Sequence, residues 1–232
     1  MQSILELHNI SKNYGSKSAL KDISFKVDAG KIVGLLGSNG SGKTTLMKLA
    51  AGLLHSKEGQ IRVCGDKVCT ASKRLVSFMP DRPLTEPWMK VGDAISFFRD
   101  FYPDFDEVKA EEMLHFMKLD RSQKVTSLSK GMNERLQLTL ALSRKASLYL
   151  LDEPIGGVDP VAREKILDAI VNYYSEDSCL IVSTHLIRDI ERIFDEVILI
   201  KDGQLVAHEG VDDIREKHGK SVQEWFKEVY AE

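Results

Sequence analysis

A glycine-rich segment that ends in lysine and threonine carries the first recognisable chemistry of this sequence. It fits the spacing G-x-x-x-x-G-K-[ST] at every fixed position and consists of Gly37, Ser38, Asn39, Gly40, Ser41, Gly42, Lys43 and Thr44. Glycines let successive backbone N–H groups turn toward a polyphosphate, and the start of a following helix adds partial positive charge. We expect Lys43 to contact the β- and γ-phosphates of a nucleotide and the Thr44 hydroxyl to bind Mg²⁺, with Thr45 beside them in the nucleotide site.

The position of this loop in the chain supports that interpretation. Lys31–Gly37 is almost continuously apolar, as a strand buried on both faces should be, and the pattern over Lys43–Leu53 predicts a helix. A loop between a buried strand and a helix is the context that the phosphate-binding motif requires. A chance glycine-rich turn at a strand–helix junction is the alternative, and the complete motif in this context disfavours it.

Two adjacent carboxylates follow a second apolar strand. Residues 147–151 read SLYLL, and Asp152 and Glu153 come directly after them. A buried strand would deliver Asp152 to the Mg²⁺ ion beside the phosphates, while Glu153 would orient and deprotonate a water molecule that attacks the γ-phosphate. A helix cap or turn is the alternative, and Pro154 and the distance to the next helix count against it. The pair predicts hydrolysis of a nucleotide by water.

Kinases and GTPases are rival classes that use the same loop. The sequence has no Asn-Lys-x-Asp segment for reading guanine, and paired acids favour attack by water over transfer to a small acceptor. The net charge of −3 gives no basic field for nucleic acid, so we expect no nucleic-acid partner. No apolar run approaches the ~20 residues that cross a bilayer. Any connection to a membrane must then come through a partner protein.

The order of the predicted elements indicates an α/β fold. Residues 3–8 and 20–27 alternate apolar and polar side chains, which predicts half-buried antiparallel strands. Further strands, predicted near residues 148–151, 179–183 and 197–200, alternate with helices, and this alternation implies a parallel sheet. A mostly helical stretch lies between them, with helices predicted over 91–101 and 105–119.

A loop near the end of this helical stretch carries a more specific resemblance. Residues 126–132 read TSLSKGM, which resembles the signature loop, usually written LSGGQ, of ATP-binding-cassette (ABC) proteins. Gly157-Val158-Asp159 follows LLDEP, and Ser183-Thr184-His185 ends the next strand, in the order and spacing of that family. The resemblance covers essentially the whole chain. The signature loop is its specific part, because many ATPases share the other motifs.

The resemblance implies a P-loop NTPase fold with a RecA-like parallel core, an antiparallel β subdomain and an inserted α-helical lobe. We therefore expect one ABC ATPase domain over residues 1–232. Residues 1–80 and 141–210 would form the catalytic core with the β subdomain, residues 81–140 the helical signature lobe, and residues 211–232 a C-terminal helical tail.

In this family two chains sandwich each ATP between the phosphate loop of one and the signature loop of the other. The resemblance therefore assigns phosphate contacts to Ser129 and Gly131, at the start of a helix that can bind anions. It places Asp159 at the dimer interface. His185 resembles the switch histidine, which reaches the γ-phosphate and holds Glu153 and the water in place.

Other positions match the family less closely. Tyr14 matches the aromatic residue that stacks on adenine, with a core tyrosine at a strand end as the alternative. Asp81 stands where the family has a glutamine that contacts Mg²⁺; it would bind the metal or its water, or form an ion pair with Arg82 or a partner. Lys130 and Met132 replace the usual glycine and glutamine of the signature loop.

Two aromatic segments complete the expectations. Trp88, in the proline-containing segment of residues 82–89, resembles the groove in which a transporter's cytoplasmic helix docks; burial in the core of the helical lobe is the alternative. Phe97, Phe98 and Phe101 are expected to lie mostly in that core because they follow helical spacing. The pattern over Val222–Tyr230 predicts an amphipathic helix, to which the sequence assigns no function.

The resemblance implies a function and a set of partners. The expected protein binds ATP and Mg²⁺, hydrolyses ATP and powers export through separate transmembrane permease subunits, as a homodimer or as a heterodimer with a second ABC ATPase. It would lie at the cytoplasmic face of the cell membrane, in keeping with cysteines that show no disulfide spacing. A soluble ABC ATPase with another role, such as iron–sulfur cluster assembly, is the alternative.

Overall fold

A computed structural model describes residues 3–231 of the chain, which contain two β-sheets and a set of helices around them. In chain order the strands are β1 (Ser3–Tyr14), β2 (Lys17–Asp28), β3 (Lys31–Leu36), β4 (Glu58–Val63), β5 (Asp66–Lys67), β6 (Val76–Met79), β7 (Leu148–Asp152), β8 (Cys179–Thr184), β9 (Glu196–Lys201) and β10 (Gln204–Gly210). The helices are α1 (Lys43–Ala50), α2 (Val91–Phe101), α3 (Glu107–Met117), α4 (Lys130–Leu142), α5 (Pro160–Tyr173), α6 (Ile187–Ile190), α7 (Val211–His218) and α8 (Val222–Ala231). Short 3₁₀ turns lie at Ala71–Leu75, Val125–Ser127 and Glu191–Ile193.

The larger sheet has six strands in the order β10-β9-β3-β8-β7-β6. Strands β9, β3, β8, β7 and β6 run parallel, and β10 pairs antiparallel with β9. The carboxyl ends of β3, β7 and β8 therefore meet at one edge of the sheet. An α/β fold with a parallel core is confirmed, and the loops that leave this edge come together in space.

Strand β3 is buried on both faces, as its apolar run predicts. Ile32 and Leu36 belong to the core between the sheet and the helical lobe, whereas Val33 and Leu35 belong to the core between the sheet and the antiparallel strands. Each cluster thus receives alternate residues of the same strand. A strand enclosed in this way gives the glycine-rich loop after it a fixed starting point.

The smaller sheet has four strands in the order β2-β1-β4-β5. The strands predicted at residues 3–8 and 20–27 are present but longer, because β1 and β2 form a hairpin that continues to the turn between Tyr14 and Lys17. Strands β4 and β5 were not predicted from the sequence. Their charged and polar residues hide the alternation that identifies a strand.

Helices α2, α3 and α4 form the helical region between β6 and β7. Phe98 is buried, as expected, but Phe97 and Phe101 are exposed at their surface and stack on each other with ring centroids 4.3 Å apart. The expectation that all three lie mostly in the core was wrong for these two. Phe97 and Phe101 share one face of α2, and Phe98 lies on the neighbouring face. Only the face that carries Phe98 packs inward.

A buried arginine ties the helical region to the central sheet. Arg144, which follows α4, donates from Nη1 to the Val76 carbonyl at 2.8 Å and from Nη2 to the Arg74 carbonyl at 3.1 Å. The same guanidinium lies 3.0 Å from the Asp104 carboxylate, which belongs to the connection between α2 and α3. One cation therefore satisfies groups from both parts of the fold.

The C-terminal residues fold onto the central sheet. The amphipathic helix predicted over Val222–Tyr230 is present as α8, and its Val222 and Trp225 side chains enter the larger core. Helix α7 precedes it and ends at Gly219, which has a positive φ of 62°. Across residues 3–231, none of the helices combines the length and apolar character needed to span a membrane.

Arg144→Met should lower the free energy of unfolding by about 3 kcal/mol, because the Asp104 carboxylate and the carbonyls of Arg74 and Val76 lose their donor. Urea unfolding followed by circular dichroism measures this change. The matched control is Arg192→Met, which removes an exposed ion pair with Glu164 and should change stability by less than about 1 kcal/mol. Equal losses in the two variants would contradict the role assigned to Arg144.

Candidate functional site

A cavity of about 600 Å³ opens at the carboxyl edge of the central sheet. Its walls come from the β1–β2 hairpin, the glycine-rich loop, the ends of β6 and β7 and the loops that follow β7 and β8. The lining residues are Tyr14, Lys17, Ala19, Asn39, Gly40, Gly42, Lys43, Thr44, Thr45, Asp81, Lys130, Glu153, Gly156, Gly157 and His185. Side chains predicted from separate motifs therefore meet in one place.

The glycine-rich loop wraps around the start of α1 in a shape that requires glycine. Gly42 has a φ of 113°, and a Cβ atom on it would lie 2.6 Å from the Ala19 carbonyl oxygen. Gly40 has a φ of 84° and faces open space. Residues with side chains rarely adopt these angles, so glycine at these positions is what allows the loop its shape.

Lys43 is buried beneath this loop. Its Nζ donates to the carbonyls of Gly37 at 2.9 Å and Ser38 at 3.1 Å, and it lies 3.7 Å from Glu153 Oε1. The ammonium group is thus the cation nearest to the acidic end of β7. A polyphosphate entering the cavity would offer this group better acceptors than two backbone carbonyls.

Asp152 is almost fully buried, with 1% of its surface exposed. The pairing of β7 with β8 places it opposite Ser183, whose Oγ donates to Asp152 Oδ1 at 2.5 Å. The other carboxylate oxygen, Oδ2, has no hydrogen-bond partner. An unpaired buried carboxylate oxygen is costly, and a divalent cation would satisfy it.

The possible ligands around Asp152 suit Mg²⁺, which also takes water and phosphate oxygens as ligands. They do not suit a metal ion that is bound entirely by protein side chains. Thr44 and Asp81 line the same cavity and are exposed. In the described part of the chain, no three histidine, cysteine or acidic side chains are grouped closely enough to hold a metal by themselves. Mg²⁺ commonly uses one or two carboxylates together with a hydroxyl, water and phosphate oxygens.

Glu153 is held in an uncommon backbone conformation. Its φ is +53°, and its N–H donates to both the carbonyl oxygen and the Oγ of Ser183 at 3.1 Å. His185 Nδ1 lies 2.9 Å from Glu153 Oε2 and donates to it when the carboxylate is ionised. Strained positions of this kind are maintained where the surrounding contacts enforce them. The result is a carboxylate aimed into the cavity and steadied by a histidine.

The remaining predicted residues lie together, but outside this cavity. Ser129 caps α4 by accepting from the Met132 N–H at 3.2 Å, and Asp159 caps α5 by accepting from the N–H groups of Val161 and Ala162. A Cβ on Gly131 would lie 3.1 Å from Ala162 Cβ, so the two helix starts are in close contact. These residues form a second surface, which adjoins the cavity through Lys130.

The structure bears on two alternatives that the sequence left open: it excludes a core position for Tyr14, whereas the metal and partner roles of Asp81 stay predictions. Tyr14 is 49% exposed at the rim of the cavity, so it is not a core tyrosine. Asp81 lines the cavity, and no ion pair joins it to Arg82 in the described residues. Both side chains are accessible to a ligand.

Several lining residues were not predicted. Lys17 and Ala19 line the cavity because they belong to the β1–β2 hairpin, and no short sequence motif predicts that position. The Lys130 side chain reaches toward Gly157, and sequence reasoning noted it only as a departure from the signature loop. Buried Glu134 was also missed; burial raises its pKa to about 7, and Lys130 opposes that shift.

A glycine-rich phosphate loop, an acidic strand end and a carboxylate–histidine pair at the carboxyl edge of a parallel sheet define a P-loop ATPase. A family model described as ABC transporter matches residues 20–156, which is more than half of the chain. The chain belongs to the ABC transporter family. It is an ATP-binding and ATP-hydrolysing protein of that family.

Relatives with curated names agree with this assignment. The ABC transporter ATP-binding protein YdbJ of Bacillus subtilis, which is uncharacterized, is 32% identical over 96% of this chain and 75% of its own length. Nod factor export ATP-binding protein I of Burkholderia lata is 31% identical over 88% of this chain and 69% of its own length.

Solved structures share the fold. The ATP binding subunit of an ABC transporter has a TM-score of 0.86 and 27% identity, covering 97% of this chain and 99% of its own. A dimeric post-hydrolysis structure of the cassette MJ0796, bound to ADP and Pi, has a TM-score of 0.78 and 22% identity, covering 89% of this chain and 98% of its own. The second likeness concerns the fold alone.

Asp152→Asn should raise the free energy of unfolding by about 1–2 kcal/mol without Mg²⁺ or nucleotide, because it removes a buried charge while keeping the side-chain shape. The same variant should lose the Mg²⁺-dependent part of the stabilisation by ATP. Urea unfolding in EDTA, and thermal unfolding with ATP at increasing Mg²⁺, measure the two effects.

The matched control is Asp104→Asn, since the Asp104 charge is paired with Arg144 and its removal should destabilise the protein. A loss of stability for Asp152→Asn in EDTA would contradict the view that this carboxylate is kept for a ligand rather than for the fold.

Proposed function

We propose that this chain is the ATP-hydrolysing subunit of a transporter and works as one half of a dimer that sandwiches two ATP molecules. The observation that carries the proposal is the division of the predicted residues into two surfaces. One lines the cavity, and the other, with Ser129, Gly131 and Asp159, lies at the starts of α4 and α5. Lys130, between Ser129 and Gly131, borders both surfaces. A second copy or a close relative would bring its own α4 to this cavity.

Within one chain, the phosphate loop binds the nucleotide. The N–H groups of residues 39–45 surround the phosphates, with Lys43 exchanging its carbonyl contacts for the β- and γ-phosphates. Tyr14, exposed at the rim, stacks on the adenine. Thr44, Asp152 and Asp81 hold Mg²⁺, which neutralises phosphate charge when bound.

Hydrolysis depends on Glu153 and His185. Glu153 accepts the proton of the attacking water, a contribution of typically ~10²–10⁴-fold for general-base catalysis. His185 donates from Nδ1 to Glu153, which fixes the carboxylate, and in the imidazolium form it also donates from Nε2 to the γ-phosphate. Lys43 Nζ, 3.7 Å from Glu153 Oε1, places a positive charge beside that carboxylate.

Across the dimer, the start of α4 faces the γ-phosphate of the partner's ATP. Ser129 contributes its hydroxyl, Gly131 lets the backbone approach closely, and the helix dipole favours the anion. Asp159 crosses the interface. The dimeric MJ0796 cassette bound to ADP and Pi supports this arrangement by analogy of fold.

The partner in the membrane docks at Trp88. This side chain is 73% exposed, so it does not fill the core of the helical lobe. Exposed tryptophan is typical of interface anchors. The named role of the Burkholderia relative supports export, through separate permease subunits at the cytoplasmic face of the membrane. Iron–sulfur cluster assembly, the alternative role, would require no permease.

Glu153→Gln should give a dimer that appears only with ATP and Mg²⁺, because glutamine cannot remove the proton from water and ATP stays intact. Ser129→Arg in the same background should abolish that dimer, since arginine would fill the space at the start of α4. Molar mass measured by light scattering after gel filtration, with and without ATP, tests both.

Two controls separate the interface from folding. Ser127→Arg adds the same side chain at an exposed position of the same loop and should leave the dimer intact. Ser129→Ala removes the helix cap and the hydroxyl proposed to contact phosphate, but adds no bulk, at a cost of about 1 kcal/mol of stability. A monomer that binds ATP in the Glu153→Gln variant, even with its permease added, would refute the sandwich.

Trp88→Ser should weaken binding to a permease encoded by a neighbouring reading frame by about 30-fold or more, as expected for a central interface tryptophan. The control is Phe101→Ser, which removes an aromatic of similar exposure from the helical region. Binding to the permease in detergent is measured by biolayer interferometry. Equal affinities of wild type and Trp88→Ser would refute docking at this surface, and a neighbourhood without permease genes would favour the alternative role.

A further inference from the structure

The last turn of α8 contacts the phosphate loop from behind. The Ser38 N–H donates to the Tyr230 hydroxyl at 3.0 Å, and the Ser38 Oγ lies 2.6 Å from the same oxygen. Ser38 is the second residue of the loop, 192 positions earlier in the chain. A side chain from the C-terminal helix thus bonds both the backbone and the hydroxyl of a residue in the candidate nucleotide site.

Tyr230 is itself held in place. The Lys201 Nζ donates to its carbonyl at 2.9 Å and lies 5.4 Å from its ring centroid. Phe226 stacks on the ring with centroids 4.8 Å apart, and the helix is anchored by the buried Trp225. A rigid aromatic side chain fixed at so many points presents its hydroxyl in one position.

Ser38 connects this hydroxyl to the lysine of the site. The Ser38 carbonyl accepts from Lys43 Nζ at 3.1 Å, while its N–H and Oγ are engaged by Tyr230. Neither Ser38 nor Tyr230 is among the residues that line the described cavity. The hydroxyl therefore supports the loop without occupying the space of a nucleotide, and it acts one residue away from Lys43.

We propose that Tyr230 is a positioning residue for the nucleotide, which makes α8 part of the ATP site. The inference rests on the proposed assignment of residues 37–44 as the phosphate loop. A loop rich in glycine has much conformational freedom to lose when it closes on phosphates, and an anchor on its outer side lowers that cost before ATP arrives.

The expected effect is on binding rather than on turnover. The loop holds the phosphates in the ground state and in the transition state alike. Loosening the loop therefore weakens the binding of both states by the same free energy. Loss of such uniform binding raises KM and leaves kcat unchanged. A residue that supported only folding would not produce this separation between the two constants.

Tyr230→Phe is the test, because it removes the hydroxyl and keeps the ring, the Lys201 contacts and the stack on Phe226. The dissociation constant for Mg²⁺ with the non-hydrolysable ATP analogue AMP-PNP should rise about 3- to 10-fold, as expected for lost hydrogen bonds. KM for ATP should rise in parallel, with kcat within about twofold of wild type. Titration calorimetry and steady-state ATPase assays measure these values, and thermal unfolding confirms that both proteins are folded.

Two further variants make the result specific. Glu228→Gln, on the same helix, breaks an exposed ion pair with Lys220 and should leave the dissociation constant and KM unchanged. Ser38→Ala should weaken binding less than Tyr230→Phe, since the Ser38 N–H still donates to the tyrosine. The double variant Ser38→Ala with Tyr230→Phe should bind no more weakly than Tyr230→Phe alone.

Lys43→Ala distinguishes failure of this inference from failure of the proposed site. If Lys43→Ala binds the analogue as wild type does, the assignment of the phosphate loop is wrong. If Lys43→Ala loses binding while Tyr230→Phe binds like wild type, only the role of Tyr230 is overturned. A fall in kcat for Tyr230→Phe with an unchanged dissociation constant would overturn it as well.

Discussion

The site depends on one buried ammonium group facing two adjacent carboxylates. Lys43 lies 3.7 Å from Glu153, and Asp152 is buried beside it with one unpaired oxygen. Charges in this position are costly unless each is compensated. The parallel pairing of β3, β7 and β8 is what brings them together, since it places the ends of these strands at one edge. The burial of both faces of the sheet then prevents the strands from shifting to relieve the charges.

The same arrangement explains why the site is internally bonded yet leaves acceptors without partners. Lys43 contacts backbone carbonyls, and Ser183 supports both acidic residues through its hydroxyl and carbonyl. These contacts hold the geometry, but they leave Asp152 Oδ2 and Glu153 Oε1 without hydrogen-bond partners. Buried oxygens without partners lower the stability of the protein when no ligand is bound. They can accept contacts from the metal ion and the water once the nucleotide binds.

The sequence predicts best what local rules determine. The apolar run before Gly37 and the one before Asp152 identify buried strands because both faces of each strand are covered. The contribution of the β1–β2 hairpin to the cavity wall was harder to predict from the sequence. Lys17 lies at the cavity because it pairs with Tyr14 across the hairpin. The exposure of Phe97 and Phe101 depends on which face of α2 packs inward, which helical spacing alone does not decide. The contact between Tyr230 and Ser38 joins residues 192 positions apart in the sequence, and no motif encodes it.

The charges around the cavity support the proposal of a second surface. Three lysines line it (Lys17, Lys43 and Lys130), against the carboxylates of Asp81 and Glu153, with Asp152 directly behind. The protein's own charges are therefore nearly balanced, and a nucleotide with its metal adds net negative charge. The start of a helix offers partial positive charge and free N–H groups for an anion. An approaching α4 from another subunit would supply both, and departure of the cleaved phosphate would remove the charge that attracts it. Binding energy for closing a dimer, and its release on hydrolysis, would thus follow from the electrostatics of a single cavity.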